Sequence, residues 1–273
     1  MPQQPAPPGT WDEDPDGASI LLATGRARHD LLVIAEPAFL RDLDQAWGRP
    51  AARVRLSFLP GVHAPGAPGQ EDALLSYERG GLGVLVARGR TSLFEGESAR
   101  STTALARIAS GTRLRAALLV TRAIPLGGAG DASDGAAPGQ VRVVADHLNL
   151  SGGPLFPATG MVSAGWDANL AERMEHLSGV SGSAVVALVP GPLRPSPAEA
   201  RVMASLGADA AVTDSVAEAM ALASRDVAVV SLVYLEAPAA GGNLGQAQTS
   251  LRQASGVALA AVEDVLRSLQ TGA

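Results

Sequence analysis

The sequence contains no cysteine, which excludes disulfides and thiolate-held zinc and permits a reducing compartment. Its four histidines, His29, His63, His147 and His176, are scattered without His-Glu-x-x-His or similar spacing, so no metal site is expected from them. Clustered cations are lacking as well. The formal net charge is -6 and no basic stripe appears, so nothing in the chain would drive binding to nucleic-acid phosphates. The longest apolar stretches, Ser183 to Val189 and Val227 to Leu235, fall far short of the ~20 residues of a membrane-spanning helix. The segment Met1 to Gly17 has neither a basic n-region nor an apolar h-region and is rich in Pro, Gln and acidic residues. It reads as a disordered tail rather than a secretory signal. A cytoplasmic location without cofactor or membrane contact is expected, where the sequon-like Asn149-Leu150-Ser151 has no role.

What the chain does have is apolar content, 47% of 273 residues, enough to bury a sizeable core in a single domain expected over residues 18–273. Short runs of Val, Leu and Ile alternate with Ala-rich amphipathic segments, the pattern of an α/β fold with buried strands. Strands are predicted at Ile20–Thr24, Leu31–Ala35, Arg53–Phe58, Leu82–Ala87, Ala116–Thr121, Val141–Ala145, Ala184–Val189, Asp209–Thr213 and Val227–Tyr234. The clearest helix start is Ser196-Pro197-Ala198-Glu199, where Ser caps, Pro suits the first helical position and Glu completes a capping box. That helix is expected to end at Gly207; others are expected from Asp214 to Ala223 and from Leu251 to Leu269. Pro60–Gln70 and Leu126–Gly139 read as loops, the second a Gly-rich insertion or disordered segment. The expected architecture is one three-layer αβα domain around a central mixed sheet.

Several stretches carry chemistry-bearing residues in a definite order. Gly89-Arg90-Thr91-Ser92-Leu93-Phe94-Glu95-Gly96 comes first, followed by Val120-Thr121-Arg122-Ala123-Ile124-Pro125 and Asp146-His147-Leu148-Asn149-Leu150. Gly191-Pro192-Leu193-Arg194-Pro195-Ser196-Pro197-Ala198-Glu199, Gly207-Ala208-Asp209-Ala210-Ala211 and Val230-Ser231-Leu232-Val233-Tyr234-Leu235-Glu236 complete the series. In this order and spacing they resemble the trimeric purine nucleoside phosphorylase family, whose members carry D-H-I-N-L, G-P-x-F-E-T-x-A-E and L-G-A-D-A-V-G-M-S. The resemblance extends from about Leu31 to the C-terminus and is strongest from Val141 to Val233. It implies a nucleoside-phosphorylase-like fold, a homotrimer by analogy, and phosphorolysis of purine nucleosides. In that reaction phosphate attacks C1′ of the sugar through an oxocarbenium-like transition state while polar groups hold the departing purine, so positioning and electrostatics carry the rate.

The resemblance places a phosphate site at Pro37, Arg90, Ser92, Ala123 and Asp214, and a nucleoside site at Phe94, Arg194, Pro195, Thr213 and Leu235. Arg90 retains the phosphate-binding type, although the octapeptide also reads as a strand end and turn with a solvated arginine. Pro37 has no N–H to offer a phosphate and Glu36 carries like charge. Gln70 and Ser92 stand where the family has His, and Phe94 keeps a ring without its hydroxyl. Arg122 replaces an Asn; it would fill the pocket, supply a new anion contact, or lie at the surface. Pro195 replaces the Glu that pairs with the base and can neither donate nor accept there. Asp214 replaces a phosphate-contacting Ser and reads as an N-cap for the next helix. Leu235 stands where Asn or Asp would hold the purine, and Glu236 is one residue out of phase. Only Ser151 to Gly165 separate the Asp146–Leu150 strand from the Trp166-Asp167 helix start, shorter than the family loop that reaches a neighbouring subunit.

Changes in the phosphate, sugar and base regions together imply a noncatalytic family member, a scaffold or regulatory partner of an active paralogue, with a purine nucleoside as candidate ligand. The alternative is an active phosphorylase or nucleoside hydrolase of altered substrate, with phosphate as co-substrate only in that case. It would be built on Arg90, Arg122, Asp214 and Glu236 and requires Asp214 or Glu236 to converge on Arg90 or Arg122. An unrelated α/β binding protein is a third reading, but Gly80-Gly81-Leu82-Gly83 and Gly179 to Ser183 spell no dinucleotide fingerprint, P-loop or nucleophile elbow.

Overall fold

A computed structural model describes residues 11–127, 136–153, 155, 162, 164–191, 194–236 and 244–271. In chain order the elements are α1 (Ala18–Thr24), β1 (Leu31–Ile34), α2 (Pro37–Trp47), β2 (Ala52–Val54), β3 (Leu74–Arg79), β4 (Leu82–Ala87), α3 (Ala99–Thr102), α4 (Ala104–Ser110) and β5 (Ala116–Pro125). The second half adds β6 (Val141–Asn149), α5 (Ala168–Glu175), β7 (Val180–Leu188), α6 (Pro197–Ser205), β8 (Ala210–Val212), α7 (Val216–Ala223), β9 (Ala228–Leu235) and α8 (Leu244–Thr271). All nine strands lie in one mixed sheet of order β2-β3-β4-β1-β5-β8-β7-β6-β9. Because β9 also pairs with β5, in parallel from Ala116↔Ala228 to Ala123↔Leu235, the strands β5, β8, β7, β6 and β9 close on one another. The strands β1, β4, β3 and β2 extend from that closed part as an open wing.

Helices cover both faces, as the αβα expectation requires. On one face Phe39, Leu40 and Leu43 of α2 and Ala258, Val262 and Val265 of α8 pack on Leu31, Val33, Leu118 and Val230. On the other, Leu105 and Ile108 of α4 and Ala219 and Leu222 of α7 pack on Leu32, Ile34, Leu85, Leu119 and Val229. With both faces covered, β1 and β4 are buried at every position, which is why they read as unbroken apolar runs.

Three strand expectations change. Ile20–Thr24 is helical, not a strand: Asp14 accepts hydrogen bonds from the Ala18 and Ser19 amides at 2.9 and 2.8 Å, and Gly25 ends the helix at φ 67°. Arg53–Phe58 breaks after its first extended residues into a single 3-10 turn at Leu56–Phe58. The strand β3 has no counterpart in the predicted set, because Ser76, Glu78 and Arg79 interrupt its apolar run. Its hairpin partner β4 follows Gly80 and Gly81, at φ 55° and 79°, the left-handed conformations that a tight two-residue hairpin demands.

The N-terminal segment also differs from the expected tail. Residues 1–10 lie outside the described residues, but Asp12 pairs with Arg225 at 2.7 and 2.8 Å and with Arg107 at 3.2 Å, strapping α4 to α7. The expected α6 start appears as read: Ser196 Oγ accepts from the Glu199 amide and Glu199 accepts from the Ser196 amide at 2.7 Å. The last helix is longer than expected, beginning at Leu244. Of the Gly-rich insertion, residues 128–135 fall outside the described residues. Among the described residues no helix is long and apolar enough to cross a membrane.

Candidate functional site

The ends of β1, β4, β5, β8 and β9 meet around a cavity of about 360 Å³. Strand ends are where open α/β sheets leave a crevice. Its charged walls are Glu36 after β1, Arg90 after β4, Arg122 within β5, Asp214 after β8 and Glu236 after β9, with Glu95 and Arg194 at the lining. The antiparallel register Ile124↔Ala211 of β5 and β8 brings Asp214 beside Thr121, whose hydroxyl donates to Asp214 Oδ1.

Arg90 is only 5% exposed, so it is not the solvated arginine of the turn reading. Its Nη1 donates to Asp214 Oδ1 at 3.0 Å, and its Nη2 donates to the carbonyls of Ile34 and Val120 at 2.7 and 3.1 Å. Glu218 of α7 brings Oε2 to 3.3 Å from Nη1, close enough for charge pairing, yet the angle leaves that oxygen without a hydrogen bond. Burial opposes the Arg90 charge, but Glu218 and Asp214 outweigh it and hold its pKa above the ordinary value. Burial pushes Glu218 up to about 7 in spite of Arg90, with Asp214 adding to the rise.

A second chain of charges crosses the cavity. Arg122 Nε donates to Glu36 Oε1, Arg122 Nη1 donates to Glu236 Oε1 at 2.7 Å, and Arg194 Nη2 donates to Glu236 Oε2 at 3.2 Å. The Arg122 guanidinium lies 5.4 Å from the centroid of the Phe39 ring, an arrangement that adds cation–π attraction. Burial raises the Glu36 pKa against the pull of Arg122. Arg122 is therefore neither a cavity plug nor a free anion contact; it is held between two carboxylates.

The cavity brings together Arg90, Ser92, Phe94, Ala123, Arg194, Thr213 and Asp214 from the positions singled out in the sequence. Gln70 joins them and accepts from the Arg90 amide at 3.2 Å. Ser92 is committed locally, capping the 3-10 turn Leu93–Glu95 in a reciprocal pair with Glu95. Phe94 packs on Gly191, where a Cβ would lie 2.9 Å from its ring.

The other positions are elsewhere. Pro37 is the first residue of α2 and outside the lining. Pro195 lines a separate groove beside α6. Leu235 is fully buried among Val144, Val186 and Val233. Glu236 lines the cavity instead: its amide still bonds to the Ala123 carbonyl at 2.9 Å, so alternation turns its side chain away from the core that takes Leu235. Asp214 is not the helix cap: Ser215 holds that place at φ 66° and makes no capping hydrogen bond, leaving the Asp214 carboxylate for Arg90. Glu218 was missed, although one acid among Val216-Ala217-Glu218-Ala219-Met220-Ala221-Leu222-Ala223 is a signal of a buried charge with a partner.

No family model matches the sequence. The purine nucleoside phosphorylase of Mycobacterium tuberculosis is 31% identical over 218 residues, covering 77% of each chain. That of Cellulomonas sp is 29% identical over 233 residues, covering 78% of this chain and 77% of the relative. Among solved structures, isoform 2 of purine nucleoside phosphorylase from Schistosoma mansoni, in complex with cytosine and ribose-1-phosphate, superposes with a TM-score of 0.75 at 16% identity. It covers 94% of this chain and 97% of that one. The Schistosoma mansoni enzyme in complex with adenosine gives 0.73 at 17% identity, over 95% and 99%. At such identity the structures speak for the fold alone.

Proposed function

Since the chain belongs to the purine nucleoside phosphorylase family, we propose that it is a noncatalytic member of it, acting as a scaffold or as regulatory partner of an active paralogue. The observation that carries this reading is the state of Arg90. Its Nη1 and Nη2 are engaged by Asp214, Glu218 and two carbonyls, so the cation that would receive phosphate already has internal anions. An incoming phosphate would also face Glu36 and Glu236, both ion-paired inside the cavity. Like charges disfavour one another strongly where water is scarce. Of the nucleoside positions, Phe94, Arg194 and Thr213 line the cavity, but Pro195 and Leu235, which stand where the family holds the purine, do not. One domain over 18–273, a cytoplasmic location and assembly as a homotrimer, by analogy with the family, complete the proposal. A purine nucleoside remains the candidate ligand.

A second reading is favoured by one specific observation: the convergence that an altered enzyme requires is present, with Asp214 on Arg90 at 3.0 Å and Glu236 on Arg122 at 2.7 Å. In that reading a carboxylate would activate water and the protein would hydrolyse a nucleoside. One experiment tests both. Purified protein is incubated with inosine, with and without excess phosphate, and free hypoxanthine is measured by chromatography beside an active family member. Neither condition is expected to release base above background. Phosphate-dependent release within about tenfold of the control, a barrier difference of about 1.4 kcal/mol, would overturn the noncatalytic reading, and phosphate-independent release would install the hydrolase.

A further inference from the structure

The cavity carries more acids than arginines. Glu36, Glu95, Asp214 and Glu236 line it against Arg90, Arg122 and Arg194, and Glu218 stands behind Arg90 as a further carboxylate. The hydrogen bonds sort these acids into two kinds. Both Glu95 oxygens accept from amides, Ser92 at 3.0 Å and Gly66 at 2.6 Å, and both Glu236 oxygens accept from Arg122 and Arg194. Glu36 and Asp214 are each used on one side only. Arg122 donates to Glu36 Oε1, while Arg90 and Thr121 donate to Asp214 Oδ1. Among the described residues nothing donates to Glu36 Oε2 or to Asp214 Oδ2.

The open oxygen of Glu36 is the more telling of the two. This side chain is only 6% exposed, and the loop before β3 comes so near that a Cβ on Gly69 would lie 3.0 Å from Oε2. A buried carboxylate is stable only when paired and hydrogen-bonded, and burial holds the Glu36 pKa above its ordinary value in spite of Arg122. What the site lacks is one more donor with positive charge. Phe94, 40% exposed, lines the same cavity, and the face of an aromatic ring attracts cations. Pro68, Ile124 and Val212 make other parts of the wall apolar. An apolar wall with a few placed polar groups is the usual make-up of a small-molecule site.

We propose that the cavity is a binding site for a small organic cation, a primary amine whose ammonium group is received by Glu36 Oε2 and whose apolar part rests on the wall that contains Phe94. Such a ligand reduces the excess of negative charge that a phosphate would increase. The inference rests on the reading that phosphate is not received in this cavity, and it names a ligand class different from a neutral nucleoside.

The test is calorimetric titration with probes of one shape and three charges: phenethylamine, 2-phenylethanol and 3-phenylpropionate, with inorganic phosphate as a fourth. At about pH 8 a primary ammonium is still charged and carboxylates are ionised. Phenethylamine is expected to bind, the alcohol at least about tenfold more weakly, since a hydrogen bond to a charged group contributes a tenfold or more in affinity, and the two anions not at all. Glu36→Gln is expected to weaken the amine by at least about tenfold and Phe94→Leu to weaken it as well. Glu175→Gln removes the same charge from an exposed position on α5 and is expected to change nothing. Circular dichroism checks folding; if Glu36→Gln does not fold, Phe94→Leu and the matched probes decide. No binding of phenethylamine, equal binding of the alcohol, or an equal loss in Glu175→Gln would overturn the inference. Silence from all four probes overturns it alone and leaves the noncatalytic reading to the hypoxanthine assay, whereas binding of phosphate in place of the amine overturns it together with the argument that internal acids exclude phosphate.

Discussion

Arg90 Nη1 lies 3.0 Å from Asp214 Oδ1 and 3.3 Å from Glu218 Oε2, so one buried guanidinium is shared by two carboxylates, one from the β8–α7 connection and one from α7 itself. The arrangement places internal acids where the family resemblance puts phosphate, and it gives the helix α7 an electrostatic tether to the end of β4. Removing either acid therefore affects anion affinity and stability together.

Asp214→Ser is expected to restore phosphate binding without restoring turnover. Breaking a buried pair costs about 3 to 5 kcal/mol; Glu218 remains beside Arg90, so the lower end is expected. With phosphate at a hundredfold excess over its dissociation constant, the variant should recover about 2.7 kcal/mol. Thermal melts with and without phosphate check this. Equal stabilisation of variant and wild-type protein would sink the idea that Asp214 occupies the anion place.

Leu235→Asn imitates the family's purine contact in sequence but not in space. Leu235 is fully buried, and loss of a buried Leu side chain costs about 2 to 5 kcal/mol before the unpaired amide is counted. The variant should melt lower than the wild-type protein and release no hypoxanthine from inosine. A variant of undiminished stability that bound purine would show that β9 presents this position to the cavity after all.

The Glu218 carboxyl supplies a pH dependence. Its ordinary value is 4.5 and its folded value about 7, so the native state holds a proton that the unfolded chain releases. The stabilisation is complete below about pH 4.5 and is lost as pH rises through about 7, amounting to roughly 3 kcal/mol at most. Glu36, also raised by burial, acts in the same sense. His29, lowered to about 4 by burial and Arg26, destabilises the fold as pH falls below its ordinary 6.5. Comparing urea unfolding of wild-type protein and Glu218→Gln at about pH 5 and about pH 8 removes these shared contributions. The variant should lose less stability between the two pH values; an identical loss would show that Glu218 does not titrate there.

The local elements were legible in the sequence where a short stretch determines its own structure. The capping box of Ser196 and Glu199 lies within three residues and formed as read. The misread pieces depend on neighbours. Ile20-Leu21-Leu22 looks like a strand until Asp14 caps it as a helix, and β3 is stabilised by pairing with β4 rather than by its own apolar pattern. At the cavity, residue types were visible but pairings were not. Arg90 meets Asp214 across 124 positions and Arg122 meets Glu236 across 114, separations over which only the strand order of the whole sheet sets who meets whom.

The segment before α1 gives the last prediction. Its acidic, Pro-rich composition suggested a tail, yet Asp12 is the shared partner of Arg107, itself 4% exposed, and of Arg225. Burial lowers the pKa of Arg107 and Asp12 opposes that shift, so removing the carboxylate leaves a buried cation uncompensated between α4 and α7. Asp12→Ala should cost about 3 kcal/mol in urea unfolding. Glu13→Ala is the control, because Glu13 pairs with Arg100 and both side chains are at least 36% exposed; exposed pairs contribute about 0 to 1 kcal/mol. Circular dichroism should confirm that both variants fold. Equal losses from the two substitutions would mean that the segment merely rests on the surface, whereas a loss confined to Asp12→Ala makes it a strap between α4 and the end of α7, the helix that carries Glu218.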